Sequence, residues 1–285
     1  MRRVLIILLT AVVMSACEVA DLIRPVDPAI RGDELVVEGW IDEGGYPIVS
    51  VTTTLQRPDE PQEVRGLLAL VVRDAAVFVS DGTTTWPLQG SLTGDFFPPY
   101  VYTTTQMKGE AGKSYTLTVH YAGKVATATT TIPEKTELDT LEVVETDDGV
   151  PRVYASFTAL EGRCYGFFSK EKSESFGYLP VFLGMVDGNA ASGPQTVAVT
   201  RGSGLTSIKD YKPGYQPGET ACIRFCTMPR EIYQFWSGFQ SLTGISYIMT
   251  FPSSFDNLPS NVEGAYGYWA GYGTSLYEIS IPEKE

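Results

Sequence analysis

The sequence contains a single histidine, His120, which limits the catalytic and metal chemistry open to it. A Ser-His or Cys-His pair would have to use this side chain, because a general base must lie within hydrogen-bond reach of its partner. His120 falls on the polar side of an alternating β-type segment, so we expect an exposed surface residue. The cysteines lack zinc-knuckle spacing and lie far from His120 in sequence, so we expect no metal site.

Basic residues are also few: 21 Lys and Arg stand against 34 Asp and Glu, a formal net charge of -13. Such a surface repels phosphate backbones and anionic lipid headgroups. We therefore expect no nucleic-acid partner and no membrane adsorption driven by charge.

Recognisable catalytic motifs are missing as well. There is no G-x-S-x-G elbow, phosphate-binding glycine loop, H-E-x-x-H helix or calcium-binding loop. Residues 169–172 satisfy S-x-x-K, but they end a predicted strand and neither S-D-N nor K-T-G follows. The acidic pair Asp147 and Asp148 precedes Gly149, which is typical of a solvated turn. We therefore predict no catalytic residues, no cofactor and no enzymatic activity; a hydrolase would need acids, or a serine and a base, gathered in a cleft.

The amino terminus carries an export signal. Arg2 and Arg3 precede an apolar run over residues 4–14, and small residues lead to Cys17. The run is shorter than the roughly 20 residues that a membrane-spanning helix needs. Residues 14–17 read Met-Ser-Ala-Cys and resemble the lipobox of bacterial lipoproteins, in which the cysteine is acylated. We predict a cleaved signal peptide over residues 1–16 and an acylated Cys17 with a polar tether over 17–34; an ordinary secretory signal with a chance cysteine is the alternative.

Three cysteines remain after acylation of Cys17, an odd number in an oxidising compartment. Cys222 and Cys226 would lie about 13 Å apart on one strand, too far to bond each other. A disulfide between Cys164 and one of them, with Cys222 as the candidate, is one interpretation. Buried free thiols are the other.

Residues 35–133 alternate between short β-type runs and turns. In the clearest run Tyr115, Leu117 and Val119 alternate with polar residues, giving one apolar face. Dipeptides at 81–82 and 122–123 are typical of tight turns. About seven short strands predict an immunoglobulin-like β-sandwich.

A charged linker over residues 134–140 leads to a second region, 141–285, which is also mostly β. One amphipathic helix is predicted near 229–243, with Pro229 at its start and Gly244 as its cap. Its apolar positions are Ile232, Phe235, Trp236, Phe239 and Leu242. The predicted class is mainly β, with a sandwich domain followed by a β-rich domain that carries this helix.

The tract 265–273 interleaves aromatic residues with glycine. Aromatic rings can stack on a ligand, and glycine allows close approach to the backbone. Tyr266, Tyr268, Trp269 and Tyr272 are therefore candidate ligand or partner contacts. Equally, the rings can fill the inner face of a twisted strand.

Several segments together resemble a known family. They are the lipobox, Leu-Val-Val-Glu-Gly-Trp-Ile at 35–41, Thr-Ile-Pro at 131–133, Phe-Pro at 251–252 and Ser-Asn-Val-Glu-Gly-Ala-Tyr-Gly at 260–267. The chain resembles a family of Bacteroidota outer-membrane lipoproteins classed as a domain of unknown function, often encoded beside TonB-dependent receptors. In the commoner version of the last segment the family has Ser-Asn-Ile-Gly-Gly, whereas this chain has Val262 and Glu263 in place of the Ile and the first Gly. Asp-Thr-Leu at 139–141 resembles the O-glycosylation signal of that phylum, with Thr140 as acceptor.

The resemblance implies an accessory protein, anchored by lipid in the outer membrane and partnered with a TonB-dependent receptor in nutrient capture. Acidic residues after Cys17 favour the cell surface, with the periplasmic leaflet as the alternative. A structural or adhesive envelope lipoprotein without a transport role is the competing hypothesis.

Overall fold

The computed structural model describes residues 31–55, 68–146, 150–175, 177–202, 213–248 and 258–283. The predicted signal peptide, Cys17 and most of the tether lie outside the described residues. The described part is mainly β, as predicted, with one long helix, α1 (Arg230–Ile248). Its strands are β1 (Arg31–Asp42), β2 (Ile48–Leu55), β3 (Ala76–Ser80), β4 (Thr85–Leu92), β5 (Tyr100–Thr103), β6 (Ser114–Tyr121), β7 (Lys124–Thr131), β8 (Thr140–Glu145), β9 (Pro151–Ala159), β10 (Cys164–Glu171), β11 (Leu179–Asp187), β12 (Gly193–Val199), β13 (Thr220–Met228) and β14 (Tyr266–Ser280).

Eleven of these strands form one sheet, in the order β11-β10-β13-β14-β1-β2-β5-β4-β3-β6-β7. Strand β4 turns the sheet back on itself, because its first half pairs with β3 and its second half pairs with β5. The strands β3, β6 and β7 thereby lie against β1, β2 and β14. Buried side chains from both layers form the first core: Val37, Val49, Val51, Val77, Val79, Leu117, Val119, Ala126, Ala128 and Trp269. This two-layer packing is consistent with the predicted sandwich, whose immunoglobulin-like topology stays a prediction.

A separate sheet, in the order β12-β9-β8, covers the other end of the large sheet. Its strand β9 alternates Val153, Ala155 and Phe157 inward, and β10 and β13 present a complementary apolar face. Three rings meet at the centre of this second core. Phe167 stacks on Phe225 with centroids 4.6 Å apart, and Phe157 packs at a tilt against Phe225 with centroids 4.8 Å apart. The second region is thus a packed β layer with its own core.

Strand β14 joins the two halves of the molecule. Its first half pairs in parallel with β1 and its second half pairs antiparallel with β13. The hydrogen-bonded sheet is therefore continuous from residues 35–133 into 141–285. The proposed division at 134–140 stays a prediction, with β14 contributing to both cores.

Helix α1 follows β13 directly. Pro229 accepts hydrogen bonds from the backbone N–H groups of Ile232 and Tyr233, and Arg230 pairs with Asp187 at 2.8 Å. Gly244 was predicted to end the helix but lies inside it, because α1 continues to Ile248. Ile232 and Phe235 are buried against the large sheet. No helix in the described ranges is long and apolar enough to cross a membrane.

Candidate functional site

Strand β1 separates two kinds of side chain. Val37, Gly39 and Ile41 point into the first core, whereas Glu38, Trp40 and Asp42 lie on the opposite surface of the sheet. In the parallel register with β14 these three residues stand beside Tyr268, Ala270 and Tyr272. We call this surface, with the neighbouring positions of β2, β10 and β13, the outer face.

An ion pair occupies the centre of the outer face. The guanidinium of Arg224 on β13 donates to Asp42 Oδ1, and the Thr274 hydroxyl donates to the same oxygen at 2.7 Å. The side chains are 12% exposed for Arg224 and 26% for Asp42. Burial disfavours the charge of Arg224, but Asp42 outweighs this effect, and the pKa of the guanidinium is raised.

Aromatic rings enclose this cation. The Arg224 Cζ lies 4.6 Å from the centroid of Tyr272 and 5.5 Å from that of Phe168. The Tyr272 hydroxyl in turn accepts a hydrogen bond of 2.8 Å from the Trp236 indole on α1. Burial raises the pKa of Tyr272 and raises that of Cys226 to about 11, so both groups stay neutral at physiological pH.

A second acidic group, Glu38, lies on β1 before Asp42 in the chain. In the sheet register it is directly opposite Ser50 of β2 on one side and Tyr268 of β14 on the other. Burial raises the pKa of its carboxyl group. Ser50 is only 8% exposed, and its Oγ has no hydrogen-bond partner among the described residues. Two polar groups that burial penalises thus stand side by side.

Segments from both halves of the chain border the outer face. On one side Phe96, in the β4–β5 connection, contacts Trp40 edge to face with centroids 5.3 Å apart. The same connection approaches Gly177, where a Cβ atom would lie 3.3 Å from the Asp95 carbonyl oxygen. On the other side α1 packs Trp236 against Phe168, with centroids 5.1 Å apart. The arrangement places acids and one arginine among aromatic rings.

The four candidate contact residues of the aromatic tract have different environments. Trp269 is fully buried in the first core, and Tyr268 and Tyr272 are 7% and 2% exposed beneath helix α1. Tyr266 is 43% exposed. The prediction of a stacking surface therefore requires correction for Tyr268, Trp269 and Tyr272, because the alternation of β14 packs their rings into two interior layers.

The glycines of the tract serve the chain's own packing. At Gly267, where φ is +112°, a Cβ atom would collide with the carbonyl oxygen of Val37 in the adjacent parallel strand. At Gly273 it would collide with Pro133. Asn261 supports the tract by accepting from the Trp269 backbone N–H and donating to its carbonyl oxygen, both at 2.9 Å. The close approach that glycine permits here is between backbone segments of the protein.

The three described cysteines are free and buried, which contradicts the predicted Cys164–Cys222 disulfide. In the β10–β13 register Cys164 stands opposite Met228, whereas Cys222 stands opposite Lys170. Six strand residues correspond to about 20 Å, well beyond the reach of a disulfide. The alternative of buried free thiols is the correct one in the structure.

We expect thiol titration to reproduce this arrangement. The native protein should react slowly with Ellman's reagent, because burial excludes the reagent and raises the pKa of Cys164, Cys222 and Cys226. After unfolding in guanidinium chloride without reductant, three thiols per chain should react. A yield of one thiol would instead demonstrate a disulfide.

Thr140 and His120 are both exposed on strands. Thr140 is exposed at the start of β8, an edge strand of the small sheet, so its hydroxyl is accessible. His120 is exposed on β6, with its ring 6.2 Å from that of Phe78. The described ranges contain no group of three His, Cys, Asp or Glu side chains that could hold a metal ion.

Glu38, Asp42 and Arg224 were not among the site residues predicted from the sequence. The alternation of β1 contained a signal for the first two, since both acids fall on the polar side of an otherwise apolar strand. Arg224 is 182 residues away from Asp42 in the chain, and no local pattern connects them.

Comparison with known proteins identifies a family match but no characterised relative. A family model described as "Domain of unknown function (DUF4249)" matches residues 23–277. No curated protein matches the chain. Two solved structures described as "Cytokine receptor complex" have TM-scores of 0.26 and 0.25. The first is 12% identical in sequence to this chain, and the match covers 86% of this chain and 95% of the other. The second is 13% identical, and the match covers 69% of this chain and 92% of the other. Similarity this low carries no argument about fold or function.

Proposed function

The chain belongs to the DUF4249 family, a domain of unknown function, and from this membership we propose that it is a lipid-anchored outer-membrane protein that binds a small ligand and assists a TonB-dependent receptor in nutrient capture. The expected resemblance to a family of unknown function is confirmed. Ligand binding, the anchor and the receptor are our proposal.

The observation that carries the binding role is the composition of the outer face. Glu38 and the Asp42–Arg224 pair lie within one sheet surface, bordered by the rings of Trp40 and Phe96. Ligand sites combine apolar and aromatic walls with a few fixed polar groups in this manner. Charged groups so close to a protein's interior carry a desolvation cost, which a packing role alone does not explain.

The anchor and the acidity support the cellular role. Acylation of Cys17 would hold the folded part near a membrane, and residues 17–34 would act as the tether. A net charge of -13 makes attraction of the folded part to anionic headgroups unfavourable, so the lipid would be the sole attachment. The part of the outer face that helix α1 leaves uncovered would then be free to meet a ligand or a receptor loop at the cell surface.

We expect the full-length protein, purified from detergent-solubilised outer membrane, to bring down an outer-membrane receptor barrel. The Cys17→Ala variant should lose acylation and should leave the membrane fraction, because no lipid remains to hold it. Repeated isolation of the wild-type protein without any barrel would contradict the receptor role.

The outer face is tested separately by uptake of the nutrient that the receptor imports. Trp40→Ala removes a half-buried ring from this face, and uptake should fall. Tyr46→Ala removes an exposed ring in the β1–β2 turn and should leave uptake unchanged. If deletion of the gene impaired attachment or envelope integrity and spared uptake, the structural or adhesive alternative would replace our proposal.

A further inference from the structure

We propose that Glu38 and Ser50 form a subsite on the outer face for the ammonium group of a small organic cation. This inference rests on the proposed binding role and names the chemical class of its ligand. It concerns a place where, among the described residues, a buried hydroxyl without a hydrogen-bond partner stands beside a carboxyl group whose charged form burial disfavours.

Glu38 and Ser50 share one side of the sheet. They are direct partners in the antiparallel β1–β2 register, so their Cβ atoms lie about 4.5–5.5 Å apart. The Ser50 hydroxyl is buried and makes no hydrogen bond within the part of the chain that the structure describes. A buried hydroxyl left unpaired is costly, and native structures usually satisfy it. Its position beside a carboxyl group indicates an external partner that could engage both.

The neighbouring side chains favour positive charge. Trp40 follows two residues later on the same face, and Tyr268 is the cross-strand neighbour of Glu38 on β14. Aromatic ring faces attract ammonium groups, and the attraction strengthens when water is excluded. Tyr268 is packed beneath helix α1, so the ring available to a ligand is that of Trp40. The carboxylate, the hydroxyl oxygen and the ring face of Trp40 can all interact favourably with one cation, whereas an anionic ligand would meet repulsion from Glu38.

Arg224, the cation of the same face, is engaged elsewhere. It is paired with Asp42 and stacked between Tyr272 and Phe168. Burial raises the pKa of Glu38, and among the described residues no basic side chain opposes this effect. The chain therefore neutralises Asp42 internally and leaves Glu38 for a ligand.

Two probes of nearly equal shape test the inference: benzylammonium and neutral benzyl alcohol, titrated into the full-length protein at pH 7.5 and followed by saturation-transfer NMR. We expect benzylammonium to bind at least tenfold more tightly, because only the cation pairs with Glu38. Equal affinity for the two probes, or no binding of benzylammonium, would overturn the proposal.

Three variants locate the binding. Glu38→Gln should weaken benzylammonium binding about tenfold or more, and Ser50→Ala should weaken it about threefold, the loss of one hydrogen bond. Glu142→Gln removes an exposed carboxylate from β8 and should bind like the wild type. The melting temperature of Glu38→Gln should not fall, since a neutral amide costs less to bury, so lost binding is separable from unfolding.

Failure of this proposal is distinguishable from failure of the proposed function. Receptor recovery and uptake that depend on Trp40, combined with no preference for benzylammonium, would reject the ammonium subsite alone. An ammonium preference that Glu38→Gln leaves unchanged would also reject it, because the cation would then bind at another acid. Loss of receptor recovery with a retained, Glu38-dependent preference would reject only the transport role.

Discussion

Replacing Trp269 with alanine is expected to lower the free energy of unfolding by about 3–5 kcal/mol, the usual range for removing a large buried ring. Trp269 is 0% exposed, and its indole N–H donates to the Tyr115 carbonyl oxygen at 2.9 Å. The variant would leave a cavity between β14 and β6 and would lose the hydrogen bond from the indole to the Tyr115 carbonyl oxygen. Urea denaturation followed by far-UV circular dichroism measures the change.

Tyr266→Ala is the matched control. It removes a ring from the same strand, three residues away, that is 43% exposed. Its effect should stay within about 0.5 kcal/mol, as for most surface substitutions. Near wild-type stability of Trp269→Ala would mean that the indole does not fill the first core, and the tract would again be a candidate for ligand stacking.

The local sequence pattern was sufficient to predict the strands that pair with their neighbours in sequence. Strand β6 directs Tyr115, Leu117 and Val119 inward, as predicted, because period-two alternation determines which side is buried. The turn at 122–123 then returns the chain into β7, where Ala122 and Gly123 both adopt positive φ. Hairpins of this kind are specified within about 20 residues.

Strand β14 shows where local pattern was insufficient. The strand begins at Tyr266, inside the tract of aromatic residues and glycine, where glycine is unfavourable in strands and hides the alternation. Its partner β1 begins more than 200 residues earlier, and the pairing is parallel. No window of sequence contains that information, so the aromatic tract could not be assigned to interior or surface in advance.

The outer face was only partly predictable, because some of its features depend on local alternation and others on contacts between distant strands. The acids of β1 fall on one side by alternation, but the pairing of Asp42 with Arg224 depends on β14 lying between β1 and β13. The unsatisfied Ser50 hydroxyl is likewise evident only when neighbouring elements are in place. Local sequence thus predicts the side on which a residue lies, and tertiary structure determines its partner.

Replacing Asp42 with alanine is expected to cost about 2–4 kcal/mol of stability, because it leaves the guanidinium of Arg224 without its counter-ion in a largely desolvated position. The cost is set by Arg224, whose side chain is 12% exposed, more than by Asp42, at 26%. The Thr274 hydroxyl also loses its acceptor. Chemical denaturation of the full-length protein measures the effect.

A double variant separates the unpaired charge from simple loss of contacts. Arg224→Met keeps a flexible apolar side chain between Tyr272 and Phe168, so Asp42→Ala combined with Arg224→Met should recover most of the lost stability. Glu110→Ala breaks the exposed Lys113–Glu110 pair and should change stability little, which calibrates the cost of an ordinary surface ion pair. If the double variant were as unstable as Asp42→Ala, the loss of stability would come from the contacts of the Asp42 carboxylate itself. The ion pair would then not be the interaction that links β1 to β13 across β14.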